Sequence, residues 1–551
     1  MSDPIKNERT LAGIDQLSLR SIILGTLGSC IITASSMYIA LRMSALPWPT
    51  MFVAVLSMAL LKIFGKTTLN EINITQSAMS AGAMVAGGLA FTLPGLWITG
   101  VWKDTVLTPG RFWMVLAIAL AGTLLGSLLT WVLRQRFVEQ EALPYPIGEA
   151  AAATLKVGDA GGNRSKMLFG AMGFSAVFTL LRDNFGWIPG ALVSKWLYAR
   201  NVYIGIWVSP MAAGIGYMIG TLYTGVWFLG ALLSFGLIIP FGTALRFFPS
   251  AQAAVEFKNT AGIGLMIGTG IGILLMYLIS AIRQARSART SPSGTRQSGS
   301  GLSHLSWTWS MLVLCLSFIL TVAAGLSPLL SILLLLGVLA ASTMASTITG
   351  QTGINPMEIF GIIILLAIRW LVPVDTVSAF LIAAGVAVAC GYSGDLMNDY
   401  KAGHTLGTNP LAQLVAQVIG GLAGAVIATF ALFALVHQYG GFGAAKGLPA
   451  AQAFAVTQMV GGIGNPTVLG IAIAIGILLY IVKVPAMTLG IGMYLPFEIS
   501  AIVFLGGLIR WTVDRFKSNA VDTGNIAASG LLGGEGISGV GIAIYKMLIG
   551  G

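Results

Sequence analysis

Long apolar runs separated by short polar islands occupy most of the chain. In the first half the runs lie near 17–41, 47–65, 72–93, 111–133, 167–181, 184–199, 203–222, 225–245 and 261–282. In the second half they lie near 307–325, 328–349, 354–370, 376–391, 411–436, 465–483, 486–510 and 524–548. Because a helix needs about 20 apolar residues to cross a bilayer, the pattern predicts an all-α polytopic integral membrane protein with about 14 to 16 transmembrane helices. Whether the number of crossings is odd or even stays open, since the segments 184–199 and 449–463 can each be counted as a crossing or not.

The composition supports this class. Hydrophobic residues make up 56% of the chain and charged residues only 9%, and the mean hydropathy is +0.87. A soluble domain is nearer 25% charged. Most of the 71 glycines lie inside apolar runs, where small residues allow close helix packing. The chain therefore reads as a multi-helix bundle and not as a soluble enzyme with an anchor.

The formal net charge is +11, but the basic residues stand at the ends of apolar runs and in one linker. This distribution argues against nucleic acid as a partner and follows the positive-inside rule. Lys62 and Lys66 close the second run, and Arg134 and Arg136 close the fourth, which places both pairs on the N-terminal side. We expect a cytoplasmic N-terminus in a multi-pass protein of the bacterial inner membrane, with the lipid bilayer as a partner.

Neither the cysteines nor the N-terminus suggests another class. Cys30, Cys315 and Cys390 lie far apart within apolar runs, so neither a metal site nor a disulfide framework is expected. The first 16 residues are polar and the run after them is long enough to span, so we expect no cleavable signal peptide.

The predicted organisation has four parts. Residues 1–16 form a cytoplasmic tail, 17–282 an N-terminal membrane half, 283–306 a basic, Ser/Gly-rich cytoplasmic linker, and 307–551 a C-terminal membrane half. Two short echoes, each found once in either half, predict that the halves are weakly repeated. They pair Pro249-Ser-Ala-Gln-Ala with Pro449-Ala-Ala-Gln-Ala, and Lys156-Val-Gly with Lys401-Ala-Gly. Transporters are commonly built from such repeats.

The most polar island runs from Gly394 to His404 between two apolar runs. It contains Asp395 and Asp399, which share a face if the segment is helical, and Lys401. Two interpretations stay open. The island is either an ordinary loop between two spans or an interrupted helix whose acids face a cavity, where a carboxyl group can serve a proton relay.

A second island, Pro144-Tyr145-Pro146-Ile-Gly148-Glu149, precedes an Ala-rich stretch that is too short to span. The prolines predict where this short helix begins, as a re-entrant or half helix. Glu149 either complements the helix dipole or couples transport to protons. Lys156 is either its charge partner or a surface lysine.

Further polar islands interrupt the apolar runs, as a solute path requires. The break at Gly350–Pro356 offers the neutral side chains of Gln351 and Asn355. The others are Asn70-Glu71-Ile-Asn73 with Gln76, the group Glu256, Lys258 and Asn259, the segment Tyr494-Leu-Pro496-Phe-Glu498, and the Gly-flanked Glu535.

Together these motifs resemble the oligopeptide transporter (OPT) family. The resemblance rests on Leu143-Pro-Tyr-Pro-Ile-Gly-Glu-Ala, Thr352-Gly-Ile-Asn-Pro-Met-Glu-Ile-Phe-Gly, Gly394-Asp-Leu-Met-Asn-Asp-Tyr-Lys-Ala-Gly, Tyr494-Leu-Pro-Phe and Gly533-Gly-Glu, in that order. It implies about 16 helices in two related halves, and proton-coupled uptake of small peptides, glutathione-like peptides or nicotianamine-type metal chelates. The chain is more similar to the prokaryotic and yellow-stripe-like side, because Lys483-Val-Pro-Ala-Met departs from the motif of the peptide branch.

The leading hypothesis is a proton-coupled symporter, not an enzyme, that imports a small peptide or a peptide-like, metal-chelating solute by alternating access. It needs no cofactor or bound metal beyond the proton. We assign proton coupling to Glu149 and Asp395, and substrate contacts to Tyr145, Gln351, Asn355, Asp399, Lys401 and Tyr494. The alternatives are an intramembrane aspartyl protease, which needs two acids sharing a proton, and a solute channel. The oligomeric state is left open, with a homodimer as one candidate.

Overall fold

The computed structural model describes residues 14–43, 46, 49–158, 163–198, 202–290, 307–352, 355–461 and 465–548. Its helices up to residue 290 are α1 (Leu19–Met43), α2 (Pro49–Ile63), α3 (Leu69–Ala90), α4 (Gly95–Ile98), α5 (Pro109–Arg134), α6 (Pro146–Gly158), α7 (Asn163–Thr179), α8 (Lys195–Tyr198), α9 (Pro210–Ile219), α10 (Thr221–Ala231), α11 (Ile239–Ala244) and α12 (Ala251–Thr290). The later helices are α13 (Trp307–Ala323), α14 (Pro328–Thr352), α15 (Met357–Leu371), α16 (Thr376–Leu406), α17 (Pro410–Tyr439), α18 (Ala451–Gly461), α19 (Pro466–Ile481), α20 (Ala486–Tyr494), α21 (Phe497–Phe516) and α22 (Val521–Leu548).

Non-α elements are few in the described ranges. Strands β1 (Ala191–Val193) and β2 (Gly205–Trp207) form one antiparallel pair. Wider π turns extend α5, α7 and α10 at Gln135–Gln140, Leu180–Asn184 and Leu232–Ile238, and short 3₁₀ turns lie at Ala444–Lys446 and Ser518–Ala520.

Seven helical segments in the described part of the chain are long and apolar enough to cross a membrane. They are Leu19–Arg42, Leu69–Ile98, Pro109–Gln140, Thr221–Ala244, Pro328–Gly350, Thr376–Leu406 and Pro410–Tyr439. Three further apolar helices are shorter: Pro210–Ile219, Thr308–Ala323 and Pro466–Ile481. The all-α polytopic class is thus confirmed. The number of 14 to 16 crossings stays a prediction, because broken helices can complete one crossing together.

Local signals at the termini set the bounds of the central helix α16. Asp375 caps its first turn by accepting a hydrogen bond from the Ser378 amide. Burial acts to raise the pKa of Asp375, but the hydrogen bonds from Ser378 hold it below its usual range. At the other end Gly407 has φ +76° and donates to the Gly403 carbonyl, a left-handed cap that favours glycine.

Helix α16 lies at the centre of a bundle with α3, α5, α14, α15 and α17. Glycines bring the backbones together: a Cβ on Gly88 would lie 2.6 Å from the Val388 amide nitrogen, and one on Gly420 would lie 2.1 Å from the Ala78 carbonyl oxygen. Such contacts are typical of membrane helices, where small residues permit close packing. A second packed group contains α9, α10, α12, α19, α20 and α21.

Several basic residues lie at one end of the bundle. Gln16 donates to the Gly407 carbonyl and accepts from the Asn409 amide, so the start of α1 and the α16–α17 turn lie at one end. Basic residues at this end, called the basic end below, include Arg20, Lys66, Arg136 and Lys156. Their placement agrees with the predicted cytoplasmic N-terminus, which stays a prediction.

The structure adds detail at two places along the predicted organisation. The apolar run 184–199, which the sequence left open, is not a membrane helix, because it contains β1 and the single turn α8. Helix α12 continues to Thr290, so the first residues of the predicted linker are helical. The remainder of that linker, 291–306, and most of the N-terminal tail, 1–13, lie outside the described residues.

Candidate functional site

The polar stretch from Gly394 to His404 is the C-terminal part of α16, which runs unbroken from Thr376 to Leu406. Both sequence interpretations, a loop and an interrupted helix, are therefore wrong. Asp395 lies eleven residues before Leu406, about 16 Å along the helix axis at 1.5 Å per residue. The acids are thus held deep in the bundle, where an ionisable side chain is expensive and usually functional.

Asp395 faces the predicted break between α14 and α15, which the structure confirms. The Asn355 Nδ2 donates to Asp395 Oδ2 at 2.8 Å and to the Cys390 carbonyl at 2.9 Å. Asn355 Oδ1 and Thr349 Oγ1 are buried without a partner among the described residues. Glu358, only 4% exposed, adds a second acid that interacts electrostatically with Asp395. The break therefore holds two acids and unused polar atoms.

Gly394 does not break the helix, as the sequence suggested, but makes room for this contact. A Cβ at position 394 would lie 2.4 Å from Asn355 Nδ2 and 2.9 Å from Thr349 Oγ1. We expect Gly394→Ala to displace the Asn355 amide from Asp395 and to destabilise the fold by about 1–3 kcal/mol. The melting temperature of the purified variant measures the effect. Gly170→Ala is the control, because a Cβ at this position of α7 would meet no neighbouring atom within 4 Å. Equal melting temperatures would contradict this steric account.

Asp399, one turn further along α16, is fully buried. Its Oδ1 accepts from Gln76 Nε2 of α3 at 3.1 Å, and its backbone carbonyl accepts from Gln413 Nε2 of α17 at 2.9 Å. The Ser80 hydroxyl lies close to the Asp399 carboxylate, although not in good hydrogen-bonding geometry with Oδ2. Gln76 Oε1 and the side-chain amide of Gln417 have no hydrogen-bond partner in the described part of the chain. Unpaired polar atoms are rare in protein interiors, so this cluster has capacity for a proton, an ion or water.

The short helix predicted after Pro144 is confirmed as α6, which begins at Pro146. Before it, Tyr145 has φ +41°, an uncommon conformation for a bulky residue. The Tyr145 amide donates to the Gly350 carbonyl and the Tyr145 hydroxyl to the Ser346 carbonyl, each at 2.9 Å. The strained residue is thus held from both sides against the end of α14.

Lys401 links α16 to this region. Its Nζ donates to the Leu143 carbonyl at 3.0 Å and lies 3.4 Å from Glu149 Oε1. The Glu149 side chain is 56% exposed, whereas Asp399 is fully buried. The partner of Glu149 is thus Lys401, and Lys156 is exposed at the surface.

The structure brings most of the candidate residues together. Around α16 lie Tyr145, Glu149, Asn355, Asp395, Asp399 and Lys401. Tyr494 is elsewhere: its hydroxyl donates to the Pro449 carbonyl at 3.4 Å, and its own carbonyl accepts from Lys258 Nζ. Gln351 lies in the last turn of α14, but its side chain is outside the described part of the structure. The roles of all eight residues stay predictions.

Sequence reasoning missed three members of the site. Glu358 stands inside the quoted Asn-Pro-Met-Glu segment, and its position just after a proline break was a usable signal. Gln413 and Gln417 lie in the apolar run 411–436, spaced four residues apart on one helix face. Two amides at that spacing in a membrane helix were the available sign of a polar contact.

Comparison with known proteins identifies the family. The chain matches the family described as OPT oligopeptide transporter protein over residues 16–546. It belongs to the oligopeptide transporter family. A Haemophilus influenzae relative named for oligopeptide transport is 28% identical, over 92% of each chain. An Arabidopsis thaliana relative named for metal-nicotianamine transport is 24% identical, over 83% of this chain and 78% of the relative. This OPT protein is therefore a transporter and not an enzyme, which excludes the protease alternative.

Proposed function

We propose that this OPT protein is a proton-coupled symporter that imports small peptides, or peptide-like solutes including metal chelates, by alternating access. The observation that carries the proposal is Asp399, a fully buried acid that forms no ion pair with the described residues. A carboxylate buried without a cation is very costly, so a proton or another small cation must neutralise it. Releasing and rebinding that cation on opposite sides of the membrane would couple its gradient to the solute.

The sequence assigned coupling to Asp395 and solute contact to Asp399, and burial favours the reverse. Asp399 is fully enclosed, whereas Asp395 is partly exposed beside the α14–α15 break. We therefore propose Asp399 as the main coupling acid. Asp395, with Asn355 and Glu358, would reach the solute or pass the proton onward.

Alternating access requires parts that move as units. Glycine contacts bring α3, α16 and α17 close, as at Gly420 against Ala78, which supports their movement as one body. The discontinuities between α14 and α15 and between α20 and α21 offer the hinges. The solute path would run beside these breaks.

The substrate class rests on relatives. One is named for oligopeptides and another for metal-nicotianamine, and both ligands combine carboxylates with amines. We therefore propose both peptides and metal chelates as substrate classes, and a metal ion would be transported as part of the chelate. We also propose a bacterial inner-membrane location with the basic end in the cytoplasm, following the positive-inside rule.

Uptake by proteoliposomes tests the proposal. The protein is reconstituted with pyranine inside, and an inward proton gradient, an inward sodium gradient or no gradient is imposed. Trialanine, glutathione and an iron–nicotianamine complex are added as solutes. We expect accumulation above the external concentration of at least one solute only with the proton gradient, together with internal acidification that depends on the solute.

Each contrary result has a defined meaning. Accumulation driven by sodium alone would keep the transporter but replace the coupling ion. Equilibration without accumulation under every gradient would favour the channel alternative. Empty liposomes and liposomes treated with a protonophore serve as controls.

A further inference from the structure

A cleft lies at the end of the bundle opposite the basic end. Its volume is about 340 Å³, and its lining includes Arg42, Arg182, Asp183 and Tyr439. Arg42 ends the span of α1 and Tyr439 ends α17, while Arg182 and Asp183 follow α7. Pockets that bind small molecules have volumes of about 300 Å³ or more, so the cleft is large enough for a small ligand.

Arg182 has its charge satisfied within the protein. It donates to Asp183 Oδ1 and Oδ2 at 2.6 and 2.7 Å, and to Glu535 Oε1 at 2.9 Å. Glu535 also accepts from the Ser209 hydroxyl and the Met211 amide. One cation thus balances two carboxylates, and this triad carries a net charge of one negative unit.

Arg42 is differently placed. Its guanidinium lies 4.4 Å from the Trp207 ring and donates one hydrogen bond, to the Tyr439 hydroxyl at 3.0 Å. Among the described residues it forms no ion pair, although a guanidinium has five N–H donors. The nearby Tyr38 hydroxyl is buried and has no hydrogen-bond partner within the part of the chain that the structure describes. Arg42 is therefore a positioned cation with unused donors at the edge of the cleft.

The charges of the cleft define its ligand. Arg42 balances the triad, so the group as a whole is neutral and has no general preference for an anion. It does present two groups with unused hydrogen-bonding capacity: the Arg42 guanidinium, which forms one hydrogen bond, and the 24% exposed carboxylate of Asp183, which can accept further hydrogen bonds. A molecule with one carboxylate and one ammonium group complements both.

We propose that this cleft binds the charged ends of a zwitterionic, amino-acid-like or peptide solute, with Arg42 on the carboxylate and Asp183 on the ammonium group. The inference rests on the proposed function for the source of the ligand and places its first recognition at the end opposite the basic end. The Arg42 guanidinium lies over the Trp207 ring, and its planar fork of N–H donors can bind a carboxylate through two parallel hydrogen bonds.

Equilibrium binding to the purified full-length protein in detergent tests the proposal without any gradient. Calorimetry compares trialanine, its C-terminal amide and its N-acetyl derivative on the wild type and on Arg42→Gln. For the wild type, we expect each blocked peptide to bind at least about tenfold more weakly than trialanine, the usual effect of a lost charged hydrogen bond. For Arg42→Gln, trialanine and its amide should bind equally, while the N-acetyl derivative stays weaker.

A matched control is Arg111→Gln, since Arg111 pairs with Asp104 at the same end but outside the cleft. It should bind the three peptides as the wild type does. If Arg42→Gln does not fold, Arg42→Lys keeps the charge and should retain the preference for trialanine over its amide while weakening both.

Two results would overturn the proposal: no binding of trialanine to the wild type, or an equal loss for trialanine and its amide in Arg42→Gln. Binding with these preferences but no uptake in proteoliposomes would leave the cleft assigned and remove the proposed function. The binding proposal for the cleft and the proposed transport function can therefore be disproved independently of each other.

Discussion

Replacing Asp399 with asparagine is expected to abolish proton-coupled uptake, with the initial rate falling at least about tenfold, or about 1.4 kcal/mol in the limiting barrier. Asparagine keeps the shape of the side chain, and its oxygen can still accept from Gln76 Nε2. Its amide can also donate to Gln76 Oε1, which in the wild type has no hydrogen-bond partner among the residues described. The variant should therefore fold, but it cannot take up and release a proton.

The measurement is solute-dependent acidification and uptake in proteoliposomes. Asp104→Asn is the control, because Asp104 is an exposed acid outside the spans, and the hydrogen bonds from Arg111 hold its pKa below its usual range. We expect this control to transport at the wild-type rate. Full proton-coupled flux in Asp399→Asn would exclude Asp399 as the coupling acid.

The neighbouring acid separates the two roles. In Asp395→Asn we expect coupling to persist, with a weaker apparent affinity for the solute, because Asp395 is partly exposed beside Asn355. If Asp395→Asn loses coupling and Asp399→Asn keeps it, the original sequence assignment is right and the reversal proposed from burial is wrong.

The second large effect concerns stability. Glu535→Ala should destabilise the protein by about 3–5 kcal/mol, because it leaves Arg182 buried with one partner fewer. The side chains of the pair are 1% and 0% exposed, and Ser209 and Met211 lose their acceptor as well. Thermal unfolding of the purified protein and its elution as a single species measure the change.

An exposed ion pair in the same protein provides the control. Asp514 and Arg510 pair four residues apart on α21, with side chains 46% and 22% exposed. Asp514→Ala should cost no more than about 0.5 kcal/mol, as is usual for surface pairs. Equal losses in the two variants would show that burial does not strengthen the Arg182–Glu535 contact.

The sequence determined the class, the family and most helix breaks of this protein. Apolar runs near 20 residues predict spans because a bilayer admits only backbone with its hydrogen bonds satisfied. The prolines before α6 and α15, and between α20 and α21, marked discontinuities because proline lacks the N–H that continues a helix. These signals are local, so they can be read without the fold.

Tertiary structure alone decided the nature of the Asp395–His404 stretch. Its charges left a loop and an interrupted helix open, yet it is a continuous helix whose polar side chains are met by distant residues. Gln76 donates to Asp399 from 323 positions away, and the Leu143 carbonyl accepts from Lys401 across 258 positions. Burying a charged side chain costs much free energy unless partners from elsewhere in the chain pair with it or form hydrogen bonds to it. A local sequence pattern shows neither these partners nor that Asp399 is buried with no ion pair to the described residues.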